Sequence, residues 1–281
     1  MKEQTKPRQN VKSVGKAKTK NTVNTEVIST SFLYALVAFI IIFCAVISLT
    51  NRKNDIDSAE TTSAITQEEV INEDTVDFSS IPESLVNLYN VNPDARDFVL
   101  RYNIENALPH EIDRSSLLES ESVPLLMQWD KRWGYNEYCG GFAALTACGP
   151  VCLSMVALHL KKDASLTPTR IMEFAVQNKF ATTDNGSLWT LMSEGGKKLG
   201  LNVEELPLSE ERVISHLKDG HPVICIMGPG NFTTTGHFIV LKEYKDGKLL
   251  VNDPNSYKNS EKAWSFDEFK GEIKNMWAFS A

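Results

Sequence analysis

The chain has 281 residues, of which 42% are hydrophobic and 23% charged, enough apolar content for one well-cored domain with additional segments and too much for a disordered protein. Its formal net charge of -7 hides an asymmetry: residues 1–53 carry nine Lys or Arg against two Glu, leaving 20 basic and 34 acidic residues for the remainder. That acidic bulk argues against nucleic acid as a partner.

In chain order, residues 1–31 form a basic tail and residues 32–50 an apolar span. Phe32 to Leu49 carries no charge, and its eighteen residues nearly cross a bilayer core of about 30 Å at the helical rise. A cleaved signal peptide would have a shorter apolar core and a briefer leader. No small-x-small cleavage site follows, and Cys44 sits among bulky residues, unlike a lipoprotein cleavage box. The segment is therefore expected to be an uncleaved transmembrane signal anchor. Lys2, Lys6, Arg8, Lys12, Lys16, Lys18 and Lys20 precede it, and only Arg52 and Lys53 follow closely. By the positive-inside tendency the amino terminus is cytoplasmic and the acidic bulk extracellular, a single-pass arrangement in the cell membrane. The basic tail is explained by attraction to anionic headgroups without invoking nucleic acid.

Residues 51–80 are polar and acidic without a sustained period and predict a disordered stalk. Residues 81–122 predict an accessory helical arm, because PESLVNLY and NPDARDFVLRY are amphipathic runs that each open on a proline. The main domain is expected over 123–281. Helices are predicted at 149–160, from Thr167-Pro168 to Lys179, at 187–199 and at 209–218, with a strand at 201–205. From there the texture is β: strands at 222–228, 237–244 and 248–253, the last two joined by the turn Lys245-Asp246-Gly247. A late helix at 266–274 and a closing strand at 276–280 complete an α+β fold.

The five cysteines are Cys44, Cys139, Cys148, Cys152 and Cys225. None has zinc-like spacing with other Cys or His, so neither a metal nor a cofactor is expected. Cys148 stands before Gly149-Pro150 and an apolar run. Proline is tolerated in a helix's first turn, so the helix begins near Cys148, where the positive end of its dipole favours thiolate. The same residues would also serve as the packed start of a core helix, with Cys152 one turn later.

A thiolate nucleophile needs an imidazole to pair with it and later protonate the leaving group. His159 and His216 lie in helical patterns, His110 in a polar linker and His221 at a turn. His237 follows the Gly-rich loop GPGNFTTTG and opens an apolar strand, so it can face a cleft. Asp253 ends the next strand, one hairpin away, and can orient the ring through its other nitrogen. Asn252 and Asn255 are alternatives for that task, although Asn252 points to the opposite face from Asp253. The Cys148 backbone N–H and the Gln128 amide are candidate oxyanion donors.

Four motifs then carry a resemblance. Gln128-Trp129-Asp130-Lys131-Arg132-Trp133, Ala147-Cys148-Gly149-Pro150, Gly236-His237-Phe238 and Asn252-Asp253-Pro254 stand in the order QxDxRW, GCGP, GHF, NDP. From about Ile81 onward the chain resembles the C39-like family of bacterial cysteine peptidases. The resemblance implies a papain-like fold with Cys148 as nucleophile, His237 as acid/base, Asp253 as orienter and Gln128 as oxyanion donor. Ala147 departs from the family's frequent glycine. The interval from Gln128 to Cys148 is also longer than in exporter peptidase domains, and without a P-loop the exporter role does not carry over.

The expected function is a membrane-anchored extracellular cysteine peptidase acting on a peptide or protein substrate through a thioester. The alternatives are a non-catalytic peptide-binding module on the same fold, and a cell-wall peptide amidase or acyltransferase. A regulatory expectation is that the arm at 81–106 lies across the cleft, as prosegments do in papain-like zymogens.

Overall fold

The computed structural model describes residues 71–183 and 186–281. The basic tail, the apolar span at 32–50 and the stalk as far as residue 70 lie outside the described residues. Among the described residues, no helix is long and apolar enough to cross a membrane. Val70 to Ala281 form one compact unit.

The end of the expected stalk is ordered by local caps. Asn72 and Asp77 accept hydrogen bonds from backbone N–H groups two residues on and start two short 3-10 turns, Glu73–Thr75 and Phe78–Ser80. Phe78 then packs edge-on against Tyr89, so this stretch belongs to the arm rather than to solvent. The arm itself is α1 (Glu83–Val91), a 3-10 turn at Pro93–Ala95, α2 (Arg96–Leu100) and α3 (Tyr102–Glu105). Its second amphipathic run is broken where Ala95 and Arg101 have ψ near zero (2° and -3°). Ile81, Leu85, Leu88, Phe98 and Val99 are buried against Met127, Trp129, Tyr135 and Ala144 of the main domain.

After a two-residue hairpin, β1 (Glu137–Tyr138) and β2 (Gly141–Phe142), a short α4 (Ala143–Thr146) runs into α5 (Cys148–Lys161). Residues 149–158 of α5 are all buried, which marks a central helix rather than a surface one. Thr167 caps α6 (Pro168–Gln177) by accepting from Arg170 N, with Pro168 in its first turn. The predicted helix at 187–199 is not formed as such. Instead β3 (Ala181–Thr182) pairs antiparallel with β4 (Gly186–Ser187), followed by a wide π-type turn at Leu191–Gly195 and the short α7 (Gly196–Lys198). Gly196 is packed so closely on Val203 and Phe279 that a Cβ would overlap them, so glycine serves a tight docking onto the sheet there.

Next come β5 (Asn202–Glu205), α8 (Glu210–Lys218), β6 (Val223–Met227), β7 (His237–Lys245) and β8 (Lys248–Asn252). Asp246 and Gly247 form the β7–β8 turn with φ of 50° and 78°, the left-handed pair that a two-residue hairpin requires. The chain ends with α9 (Tyr257–Glu261), β9 (Ala263–Trp264), α10 (Phe266–Phe269) and β10 (Ile273–Ser280). The expected helix at 266–274 is thus cut short, because its second half is a 3-10 turn leading into β10.

The main sheet is antiparallel, in the order β5-β10-β6-β7-β8-β9. Its central strands alternate between two cores. Ile224, Ile226, Phe238, Val240, Trp277 and Phe279 face α5 and α6. Val223, Cys225, Met227, Ile239, Leu241 and Met276 face α8 and α10. Burial on both faces is why these strands read as continuous apolar runs. The fold is α+β, a helical half against an antiparallel sheet.

Candidate active site

Cys148 is the first residue of α5, and Gly149 and Pro150 follow in its first turn. Any Cβ on Gly149 would overlap Ser187 and crowd Phe238, so only glycine lets β4 and the start of β7 close around this helix terminus. Ala147 precedes it with φ -97° and is fully buried. Its backbone is right-handed, so the methyl group that replaces glycine costs no strain.

His237 opens β7, paired in register with Met227 of β6. Its Nε2 lies 2.7 Å from Asp253 Oδ1, and both side chains are buried, at 6% and 1% exposed. Asp253 follows the last residue of β8. Asn252 is turned the other way and donates to the carbonyls of Val123 and Pro124, both at 3.0 Å. Strand alternation separates the two neighbours, one tying the sheet to the segment before Gln128 and the other reaching the imidazole.

With Nε2 engaged by Asp253, the other ring nitrogen is left for the thiol. Burial opposes ionisation of Cys148, yet the hydrogen bond and charge of His237, aided by backbone N–H groups of Phe238 and Gly149, bring the thiol below its ordinary value of 9.0. For His237 burial is again the largest influence and again opposes charge. The hydrogen bond and charge of Asp253, then those of Cys148, outweigh it and raise the imidazole to about 10. The opposite shifts, with Asp253 and Cys148 raising the imidazole and His237 lowering the thiol, favour a thiolate–imidazolium pair over the neutral forms. Cys152, one turn along α5, is instead buried, donates to the Phe238 carbonyl at 3.3 Å, and is pushed well above its ordinary range by burial.

Cys148 and His237 open onto a cleft of about 940 Å³ whose walls include Trp189, Ile226, Met227, Phe238 and Lys274. No residue of the arm lines this cleft. The expectation that the arm lies across it is therefore corrected: its apolar face is consumed by Met127, Trp129, Tyr135 and Ala144. Gln128 does not line the cleft either. Its side chain is buried and Nε2 donates to the Ala144 carbonyl at 2.7 Å, in the short helix that leads into Cys148, while Oε1 has no protein partner.

The model of the Peptidase_C39 like family matches residues 120–280. The chain belongs to that family. Two solved structures are similar to it. The peptidase domain of Streptococcus ComA, a bi-functional ABC transporter involved in a quorum sensing pathway, is 19% identical, covers 56% of this chain and 98% of its own, and has a TM-score of 0.40. A C39-like peptidase from Bacillus anthracis is 14% identical over 57% of this chain and 96% of its own, again with a TM-score of 0.40. No curated protein matches the chain.

Several contacts of this C39-like site were not singled out by sequence. Asn259 Nδ2 donates to Asp253 Oδ2 at 2.8 Å, and the Asn255 backbone N–H donates to Oδ1 at 2.9 Å, so both carboxylate oxygens are held. Ser260 Oγ accepts from Asp253 N at 2.9 Å and donates to the carbonyl of Ser256. The only sequence signal was the cluster of Asn and Ser after Pro254, which is also an ordinary turn composition. Cys139 lines the cleft as a free thiol with φ 55°, set by its place in the β1–β2 turn with Gly140. Trp189 stands 47% exposed at the cleft wall and packs edge-on against Trp277.

Proposed function

We propose that this protein is a membrane-anchored, extracellular cysteine peptidase in which Cys148, His237 and Asp253 cleave an amide bond through a thioester. The observation that carries the reading is the buried His237–Asp253 pair, 2.7 Å apart, beside a thiol at the head of α5. In the first step the Cys148 thiolate adds to the carbonyl carbon, and the carbonyl oxygen takes the negative charge. The Cys148 backbone N–H, at the head of α5, is the donor for that oxyanion. The intermediate collapses as the imidazolium protonates the leaving amine, breaking the C–N bond and leaving a thioester. Neutral His237 then takes a proton from water, whose oxygen attacks the thioester. The tetrahedral intermediate so formed collapses with cleavage of the C–S bond, expelling the Cys148 thiolate beside the imidazolium that has kept the proton taken from water, and the acid product gives up its own proton to solvent as it leaves. Asp253, fixed by Asn259 and Asn255, holds the ring in one orientation throughout.

The test is labelling of the full chain by a thiol-directed activity probe. Labelling is expected to vanish in Cys148→Ala and to survive in Cys152→Ala; full labelling of Cys148→Ala would remove the nucleophile assignment. Assays on peptides and on wall fragments divide peptidase from wall-peptide amidase or acyltransferase. The exposed Trp189 and Leu188 equally suit a cleft that only holds peptide. That second reading expects peptide affinity with an ordinary, His237-independent thiol.

Anchoring rests on the uncharged run from Phe32 to Leu49 and the basic residues ahead of it. The full chain is expected to sediment with membranes, and an impermeant label applied to intact cells is expected to reach the domain. A soluble full-length chain, or a domain shielded in intact cells, would overturn this part.

A further inference from the structure

β10 does not pair evenly with β6. Ile273 stands opposite Met227 and Asn275 opposite Ile226, so Lys274 is the extra residue of a β-bulge. A bulge re-aims the residue it leaves unpaired, and bulges concentrate beside active sites. Here the Lys274 stem crosses Gly228, where any side chain would collide with it. Lys274 thereby joins the lining of the cleft that holds Cys148 and His237. The ladder fixes how it gets there: Met227 is the register partner of both Ile273 and His237, which places the bulge two strands from the imidazole.

The surrounding charges make this ammonium unusual. Lys262 and Lys270, in the same C-terminal stretch, are paired with Glu268 and Asp267. Glu272, the acid nearest to Lys274 in sequence, is turned toward Asn231, whose backbone and side chain both donate to it. Among the described residues Lys274 has no ion-pair partner, and the described cleft lining contains no carboxylate. Lysine stems lie along apolar surface while the head seeks an anion or water, and this head is presented at the cleft of an otherwise acidic chain.

We infer that Lys274 forms a subsite for a carboxylate of the bound substrate, borne on an acidic side chain or on the peptide's own C-terminus. This rests on the peptidase reading for the identity of the cleft. Its test is read by binding, so that the two can fail separately. The full chain carrying Cys148→Ala is titrated with pools of short acetylated peptides, each fixing Glu, Gln or Lys at one position, as C-terminal acids and as amides. At one position Glu is expected to bind about fivefold tighter than Gln, the size of a partly exposed ion pair. The preference should disappear with Lys274→Ala, persist with Lys274→Arg and turn toward Lys with Lys274→Glu. A preference that follows the acid over the amide, whatever residue is fixed, assigns the subsite to a chain-end carboxylate. Glu-to-Gln and acid-to-amide ratios unchanged by Lys274→Ala, or no binding by any carboxylate pool, would overturn the subsite. Activity-probe labelling of Cys148 in the otherwise unaltered chain reports separately on the peptidase reading.

Discussion

At the scale of single residues, the Cys148–His237 pair determines how the protein responds to pH. As the thiolate–imidazolium pair that these shifts favour, the folded site would share one proton between the lowered thiol and the raised imidazole. In the unfolded chain the thiol holds its proton below 9.0 and the imidazole holds its own below 6.5. Between those values folded and unfolded forms bind the same number of protons, and the pair adds no pH dependence. Below 6.5 the unfolded form binds one more, so stability falls with acid until the folded thiolate is itself protonated. Above 9.0 the folded form binds one more, and stability falls until His237 deprotonates near 10. Each limb has a slope of about 1.4 kcal/mol per pH unit at most. Urea midpoints measured across pH should show a plateau between the two limbs, absent in Cys148→Ala/His237→Ala. The kinetic counterpart is the rate of Cys148 alkylation. In His237→Ala the opposing influence of burial remains and the stabilising partner is gone, so the inflection moves to or above the ordinary thiol range. The neutral-pH rate should fall about tenfold or more, and an alkylation profile identical to that of the unaltered chain would show that no ion pair exists.

At the scale of elements, the two central layers were legible because their strands and central helix are buried on every side and so read as continuous apolar runs bounded by turn signals. Strands β6, β7 and β10 alternate between two cores, and the Asp246-Gly247 turn and the Cys-Gly-Pro start of α5 are local signatures. Contacts made by loops were not legible. Asn92 donates to the backbone and side-chain oxygens of Asn255, both at 2.9 Å, across 163 positions of sequence. Two residues on, Asp94 accepts from Tyr257 N at 2.9 Å. No pattern within a window of residues announces such a grip. The bulge at Lys274 was hidden for a related reason, since one unpaired residue is visible only against its partner strand. The arm therefore clamps the loop that carries Asp253: Asn92 holds Asn255, whose N–H holds Asp253 Oδ1. Asn92 is a positioning residue. Asn92→Ala should cost about 1 kcal/mol per lost hydrogen bond and should also shift the Cys148 alkylation profile toward alkaline pH. Leu88→Ala, which empties part of the same arm's core at a cost of about 2–5 kcal/mol, should leave the profile in place where the chain remains folded. Equal shifts in both variants would reduce Asn92 to general stability.

At the scale of the whole described unit, the arm is the third of three cores and the one that distinguishes an integral element from a removable cover. A cover is held over a cleft by contacts that can be released. This arm instead buries Ile81, Leu85, Leu88, Phe98 and Val99 on the segment around Gln128 and on α4, directly ahead of Cys148. Its stacked pair Phe98–Tyr135, with centroids 4.1 Å apart, and the Tyr135 hydroxyl donating to Phe98 O at 2.6 Å extend the same surface. Removing residues 81–106 would expose that surface and loosen both the Asp253 loop and the approach to α5, so loss of folding is the expected outcome. Because an unfolded variant cannot report on access to the cleft, milder variants decide the matter. Leu85→Ala and Leu88→Ala each weaken arm docking by about 2–5 kcal/mol and so populate a displaced arm. If the arm were a cover, activity-probe labelling of Cys148 would rise as docking weakens. With an arm that supports the site from behind, labelling stays level or falls in step with the folded fraction, read on the same samples by near-UV circular dichroism. A rise at constant folded fraction would restore the inhibitory role.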